Sequence, residues 1–325
     1  MKKPKLSIIT VNYKSWALLE SYLESFQKYP PNLSYEIIIV DNYPQDGIGK
    51  SFAQSHPEIK LVSSKGNFGF SHGCNLGASH ASGEYLLFLN PDTELTADNA
   101  IDTMVEYAED QPDVGIIACR TVTPSGGTGR ELAFLSPWLL LLTWVRQIFK
   151  FINKNKIKKV YPVDADVWHS EWISGSVVLI NTHFFYQIGR WNEERYWMYH
   201  EDPDLCLRVQ KAGKKVALLR NVTIKHIEGG VSRNSASATV RSKTEVIISA
   251  HNYIQENTTG ASRFTLHLLY LLKTLSPIFI LLILLPLFWT RKYKIKVSVL
   301  IESAKYYYNA VIRKTWKSPK LAINY

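Results

Sequence analysis

Cysteine is scarce in this chain: Cys74, Cys119 and Cys206 are the only three in 325 residues. An odd count at wide spacing, with no CxxC or CxxH pair, excludes a disulfide framework and a zinc cluster, and fits a reducing compartment. Long unbroken apolar runs are also missing. A spanning helix needs roughly 20 consecutive apolar residues. The run from Leu275 to Trp289 is shorter, contains Pro277 and Pro286, and is cut off on its N-terminal side by Lys273. At the start, Lys2, Lys3 and Lys5 precede only a short apolar stretch before Asn12, which reads as a buried strand and not as a signal peptide. Internal repeats and low-complexity tracts are absent too, which leaves a globular α/β domain, alone or with an appendage. Acidic residues are outnumbered, 28 against 38 Lys and Arg, for a formal charge of +10 and a pI near 9.3. That balance favours anionic partners such as nucleic acid, acidic lipid or phosphorylated substrates, and by itself does not choose among them.

What is present is a regular alternation. "LSIITVNY" (6–13), "YEIIIVDN" (35–42), "IKLVSS" (59–64), "EYLLFLNPDTEL" (84–95) and "VGIIAC" (114–119) are short, β-branched, apolar runs that predict buried strands. "WALLESYLESFQKY" (16–29) and "NAIDTMVEYAED" (99–110) carry helical spacing between them. This order predicts a parallel sheet with helices on both faces, and ligands in such sheets bind beyond the carboxyl ends of the strands. The second half is less regular: "WISGSVVLINTHFFYQIG" holds a strand and a short helix, "DLCLRVQKAG" (204–213) a helix stopped by Gly213, and "KKVALLRNVTIKH" a further strand.

Two segments differ in character. "FLSPWLLLLTWVRQIFKFINKNKIKK" (134–159) mixes Trp and Leu with a basic end, and 264–296 is strongly apolar and then basic. The second reads as an interfacial or re-entrant membrane segment in preference to a span, with a buried core helix as the further alternative. For the first the two readings stand level.

Polar residues gather at strand ends. Asp41 can reach a ribose or a base. Asp92 can offer carboxylate oxygen to a divalent cation, or cap a helix starting near Thr96. "GNFGFSHGCNLGASHASG" (66–83) supplies Gly66, Gly69 and Gly73 for tight turns and close ligand approach, with Asn67 and Asn75 as amide donors. His226 precedes two glycines; a lone histidine is usually structural, and the alternative is a place beside a metal-bound carboxylate. In "YHEDPDLCLR" (199–208), Glu201, Asp202 and Asp204 are more acids than helix capping requires. Asp204 suits a helix N-terminus, with Arg208 as its i,i+4 partner. Trp191, Tyr196, Trp197 and Tyr199 can stack on sugar faces or fill the core.

Taken together, "SIITVNY", "IIIVDN", "GNFGFSHGCNLG", "YLLFLNPDTEL", "WISGSVVLI", "GRWNEERYWMYHEDPDLCLRVQKAG" and "IKHIEGGVS" resemble the family 2 inverting glycosyltransferases over about residues 5 to 235. Closest is the rhamnosyltransferase-like branch that builds bacterial O-antigen, capsule and cell-wall polysaccharides. The resemblance implies the GT-A fold, with a mostly parallel central sheet flanked by helices. It implies a domain over 1–240, with 134–160 a membrane-interface insertion and 241–325 a helical membrane-associating extension. Thr10, Asn12 and Asp41 would line the nucleoside pocket, with Asn67, Asn75 and Asp92 near the nucleotide and sugar. The family's Asp-x-Asp stands here as Asn90-Pro91-Asp92, so Asp92, completed by His226, would hold Mg²⁺ or Mn²⁺. Asp202 would be the general base, with Glu201 orienting it or contacting the acceptor alongside Trp172 and Gly175.

The implied partners are a nucleotide-diphospho-sugar donor, a polyprenyl-diphosphate-linked saccharide acceptor and an anionic membrane surface on the cytoplasmic face of the bacterial inner membrane. dTDP-rhamnose is the expected donor, with UDP-GlcNAc, UDP-Gal and GDP-mannose as alternatives. A non-catalytic nucleic-acid- or lipid-binding protein is the reading from a different class. No nucleic-acid-binding module is recognisable, and the basic residues cluster beside apolar segments instead.

Overall fold

The structure, a computed structural model, describes residues 3–129, 131, 134–227, 235–277 and 290–321. The chain divides into two compact units. The first comprises 1–135, 153–193 and 201–230, and the second 136–152, 194–200 and 231–325.

The first unit is built on one nine-stranded sheet. Its N-terminal half alternates strand and helix, with the expected strands joined by helices two of which the pattern did not single out: β1 (Leu6–Asn12), α1 (Trp16–Lys28), β2 (Tyr35–Asp41), α2 (Ile48–Ser55), β3 (Ile59–Ser63), α3 (Phe70–Ser79) and β4 (Tyr85–Leu89). β3, β2, β1 and β4 lie side by side and parallel. β1, β2 and β4 are apolar almost throughout because helices cover both faces. α1 turns Trp16, Leu19, Tyr22, Leu23 and Phe26 inward, one stripe at helical spacing. α3 lies against β1 because two of its residues lack side chains. A Cβ on Gly73 would fall 2.6 Å from Val11 Cγ1, and one on Gly77 2.4 Å from Ile9 Cγ2.

The second half of the sheet is mixed. β5 (Thr93–Leu95), α4 (Ala100–Asp110), β6 (Val114–Val122), β7 (Val167–His169), β8 (Val177–Asn181), α8 (Thr182–Gln187), α9 (Glu201–Lys211) and β9 (Lys215–His226) complete the unit, with α5 (Pro137–Leu141), α6 (Thr143–Ile152) and α7 (Lys154–Val160) between β6 and β7. β8 inserts antiparallel between β4 and β6, β9 runs parallel to β6, and β5 and β7 pair antiparallel with β9.

Two expectations are corrected here. The stretch 84–95 is two strands and not one, because Thr93 folds back to bond the Asn90 carbonyl through both its N–H (3.2 Å) and its hydroxyl (2.7 Å). The helix expected from 204 begins three residues earlier, at Glu201.

The second unit is helical: α5 and α6, then α10 (Ala236–Asn257), α11 (Gly260–Leu275) and α12 (Arg291–Arg313). Its cores join Leu141, Leu142, Ala250, Ile254, Leu266 and Tyr270, and separately Ile248, Tyr306, Tyr307 and Ala310. The expected boundary at 240/241 therefore falls inside the continuous helix α10. Segments 136–152 and 194–200, earlier in the chain, also belong to this unit. Of the expected membrane segment, Leu266 and Tyr270 are core residues, whereas Phe264, Leu268 and Leu272 are exposed; residues 278–289 lie outside the described residues. Among the described residues, no helix is long and apolar enough to cross a membrane.

Candidate active site

The carboxyl ends of β1 and β2 place Asn12 directly beside Asp41 in register. Both are almost fully buried. Asn12 Oδ1 accepts bonds from the N–H (3.0 Å) and hydroxyl (2.6 Å) of Ser15, which fixes the turn into α1. Its Nδ2 has no partner among the described residues. Asp41 Oδ1 accepts the Tyr43 N–H at 2.9 Å. Burial, with Asp46 nearby, raises this carboxyl above its ordinary range against the pull of that N–H. α2 comes so close that a Cβ on Gly49 would sit 2.7 Å from Asp41 Oδ2 and 3.2 Å from the Trp16 ring. Sequence reading missed Gly49, whose only signal is a glycine one residue into a helix. Thr10, expected at the nucleoside pocket, is fully buried, and its hydroxyl donates to Tyr22 OH at 2.9 Å, which braces α1.

Between β3 and α3, Asn67 Oδ1 accepts the Gly69 N–H at 3.1 Å, and Gly69 takes the left-handed φ of +97° that glycine tolerates. Asn75, expected near the nucleotide and sugar, is almost fully buried. Its amide donates to the Trp191 carbonyl (2.9 Å) and accepts the Trp191 N–H (3.1 Å), so both ends serve to hold the 189–193 turn. Gly73, expected near a ligand, is occupied by packing against Val11. His72 Nδ1 lies 2.6 Å from Glu193 Oε2. Against the cost of burial, hydrogen bonds from His72 and Asn75 hold that carboxyl below its ordinary range.

Asp92 and His226, distant in sequence, meet. Thr93 pairs with His226 across β5 and β9, the Asp92 carbonyl accepts the Ile227 N–H at 2.8 Å, and Asp92 Oδ1 lies 3.2 Å from His226 Nε2. Asp92 does not cap a helix; α4 starts at Ala100 behind Asn99. No third His, Cys, Asp or Glu joins the pair in a metal-ligand cluster among the described residues. One carboxylate and one imidazole fit a divalent cation that takes its remaining ligands from phosphate oxygens and water, the habit of Mg²⁺ and Mn²⁺ in phosphoryl sites.

The acidic cluster opens α9. The two residues before it, Tyr199 and His200, have left-handed φ of +71° and +62°. Left-handed backbone at non-glycine residues costs of order 1–3 kcal/mol each and concentrates at functional sites. Asp202, half-buried, accepts the Gly175 N–H through Oδ2 at 3.2 Å. Glu201 is buried, and its charge, second to burial, helps raise the Cys74 thiol. Asp204 pairs with Arg208 (Nε–Oδ2 2.9 Å) as the i,i+4 spacing predicted, and Arg208 also donates to the Ile188 and Arg190 carbonyls at 2.7 Å each.

The loop that holds Asp202 also walls a cavity of about 250 Å³, lined by Trp172, Ser174, Ser176, Arg120, Glu131 and His226 among others. Arg120 and Glu131 were missed. Arg120 Nε donates to Glu131 Oε1 at 2.6 Å, and Arg220 reaches the other oxygen at 3.4 Å. The signal for Arg120 was a cation directly after the apolar run "VGIIAC"; in the structure it lies within β6. Trp191 and Tyr196 are fully buried, which settles them as core.

Residues 7–174 match the profile described as glycosyl transferase family 2. The chain belongs to this family. It is a glycosyltransferase of the GT-A fold. Over 231 residues it is 25% identical to the N-acetylglucosaminyl-diphospho-decaprenol L-rhamnosyltransferase of Mycobacterium tuberculosis, covering 64% of this chain and 71% of that one. Over 191 residues it is 28% identical to the rhamnosyltransferase WbbL of Escherichia coli K12, covering 56% and 69%. Among solved structures, a mannosyltransferase of Pyrobaculum calidifontis, in complex with GDP-Man and Mn²⁺, superposes with a TM-score of 0.54 at 14% identity, over 94% of this chain and 88% of that one. This family 2 chain thus shares its sheet and helices with an enzyme from which its sequence has largely diverged.

Proposed function

We propose that this family 2 enzyme transfers L-rhamnose, with inversion, from dTDP-rhamnose to a polyprenyl-diphosphate-linked saccharide at the cytoplasmic face of the bacterial inner membrane, in O-antigen, capsule or cell-wall polysaccharide synthesis. The rhamnosyltransferase relatives support the donor, and the decaprenol-linked substrate in one relative's name supports the acceptor. The observation that carries the reading is that one loop, residues 172–176, both hydrogen-bonds Asp202 and walls the cavity that His226 lines.

Inversion requires a base on the face of the sugar opposite the leaving diphosphate. Asp202 takes the proton of the acceptor hydroxyl as that oxygen attacks the anomeric carbon. The Gly175 N–H keeps the carboxylate aimed, and Glu201 beside it steadies the helix start. Trp172 offers the acceptor ring an apolar face, and Arg120 and Glu131 offer its hydroxyls charged partners. Asp41 accepts a hydrogen bond from the base or ribose, with Asn12 Nδ2 and Asn67 close to the nucleotide. A divalent cation held by Asp92 and His226 would supply charge neutralisation for the departing diphosphate.

Attachment to an anionic bilayer is supported by α6. Trp144, Ile148, Phe151 and Ile152 form a stripe at helical spacing and are 58, 52, 83 and 72% exposed. The chain then runs into Lys154, Lys156, Lys158 and Lys159. Apolar stripe and lysines together suit an interfacial helix on acidic lipid.

The decisive experiment is binding and transfer by the purified chain with dTDP-rhamnose, UDP-GlcNAc, UDP-Gal and GDP-mannose. dTDP-rhamnose is expected to bind tightest and to be the one consumed. Turnover of another donor in its place would overturn the rhamnose assignment.

A further inference from the structure

The helical unit contains a groove of about 850 Å³ that the transfer reaction leaves unused. α10 and α12 form its walls, and Ser318 to Lys320 close part of it. The two helices run parallel. His251 Nε2 meets Tyr307 OH at 3.0 Å, and each residue lies about 23 Å, at 1.5 Å per residue, beyond the start of its own helix. Ala236 and Arg291, the two first residues, line the same groove. An antiparallel pair would hold those starts about 45 Å apart by the same rise per residue, so both N-termini stand at one end.

That end is electropositive in three ways. Two helix N-termini bring partial positive charge. Neither helix has an acid in its first turn to offset it. Arg241 and Arg291 line the groove there, one from each helix, and among the described residues neither lies within salt-bridge distance of a carboxylate. Of the groove's acids, Glu302 pairs with Lys305 at 2.8 Å, and the buried Glu245 has Lys320 2.9 Å from its Oε2 but no hydrogen bond to either carboxylate oxygen among the described residues, so the anion's place is the far end, at Arg241 and Arg291. Farther along, the buried Thr244 lines the groove, and its Oγ1 has no hydrogen-bond partner among the described residues. Val240, Ile248 and Ile295 supply apolar wall over the same length. A positive end, an unpaired buried hydroxyl and an apolar trough match a phosphate joined to a hydrocarbon chain.

We propose that this groove binds an anionic phospholipid of the bilayer. Its phosphate lies at the shared N-terminal end against Arg241 and Arg291, its polar linkage near Thr244, and its acyl chain along Val240, Ile248 and Ile295. The inference rests on the reading that the enzyme works at a membrane face, and it adds a specific lipid site to the general attraction of α6 for acidic surfaces.

The test is calorimetric titration of the full purified chain with monomeric dihexanoyl-phosphatidylglycerol, dihexanoyl-phosphatidylcholine, farnesyl phosphate and inorganic phosphate. Phosphatidylglycerol is expected to bind at least about tenfold more tightly than phosphatidylcholine, whose choline cation opposes Arg241 and Arg291, than inorganic phosphate, which has no chain for the apolar wall, and than farnesyl phosphate, which has no polar linkage to reach Thr244. The double variant Arg241→Ala/Arg291→Ala is expected to lose that advantage, and Thr244→Val to lose part of it. Equal binding of both phospholipids, or an unaffected double variant, would overturn the proposal. Tighter binding of farnesyl phosphate would give the groove to a prenyl carrier lipid instead, and equally tight inorganic phosphate would remove the lipid. Donor binding and transfer to a soluble acceptor, measured on the same variants, are expected to be unchanged; they report separately on the rhamnosyltransferase reading.

Discussion

Asp92 Oδ1 stands 3.2 Å from His226 Nε2, and the antiparallel pairing of Thr93 with His226 holds them there. The carboxylate comes from the turn after β4 and the imidazole from the last residue of β9, so the edge of the mixed sheet, and no local motif, makes the pair. If it holds a cation against the donor diphosphate, excess EDTA should abolish transfer and added Mn²⁺ or Mg²⁺ restore it. Asp92→Asn and His226→Ala should each lower turnover by about 10²–10³-fold, as loss of one electrostatic stabiliser does. Full activity in EDTA would sink the assignment.

Asp202→Asn keeps the shape of the side chain and its place beside Gly175 but removes the proposed base. Turnover should fall by ~10²–10⁴-fold, with the dissociation constant for the donor nearly unchanged. Normal turnover in this variant together with a dead Glu201→Gln would move the base by one residue.

Asp204→Asn should behave differently. Asp204 is buried and binds Arg208, which in turn holds two carbonyls of the 188–190 turn. The expected result is a loss of about 2 kcal/mol of stability, typical of a hydrogen bond to a charged group, with kcat largely kept. Urea denaturation and steady-state kinetics on one preparation separate the two effects.

Asn75→Ala should also cost stability and spare the donor. It strands the Trp191 N–H and C=O, each worth about 1–3 kcal/mol when buried without a partner. A drop in nucleotide affinity at unchanged melting temperature would restore Asn75 to the donor site.

The helical unit should be acid-sensitive. Burial, with His267 adding to it, pushes His251 down to about 3; burial, with Arg263 adding, pushes His267 down to about 4. The two rings stack with centroids 5.1 Å apart, and their Nδ1 atoms are 2.8 Å apart. An unfolded histidine titrates near 6.5. Between pH 6.5 and about 4 the unfolded chain therefore binds protons that the folded one refuses, and stability falls as the pH drops through that window. His267→Gln should flatten the fall, read as melting temperature at pH 7, 6 and 5.

Membrane attachment should follow the exposed stripe of α6. Phe151→Lys with Ile148→Lys should shift the protein from acidic vesicles to the supernatant in a sedimentation assay. Removing residues from 264 onward is the wrong test, because Leu266 and Tyr270 are core and their loss would unfold the unit.

Much of the first unit was legible in the sequence. β1, β2, β4, α1 and α4 announce themselves because a strand buried on both faces must be apolar throughout, and a surface helix must be apolar along one stripe. Asp41, Asp92 and Asp202 stood out as candidates because polar residues at strand ends and surplus acids at a helix start have no packing use. The Asp204–Arg208 pair was readable because its spacing is local.

Tertiary structure alone decided the rest. Thr10 and Asn75 sit in the same motifs as Asn12 and Asn67, yet their polar atoms are consumed by Tyr22 and Trp191, partners far outside any local pattern. Arg120, Glu131, Trp172 and His226 share one cavity only because β8 inserts antiparallel between β4 and β6 while β9 runs parallel beside β6. Composition and periodicity state which face of an element is buried. They do not state which element buries it, because that choice depends on pairings between residues that no short-range pattern connects.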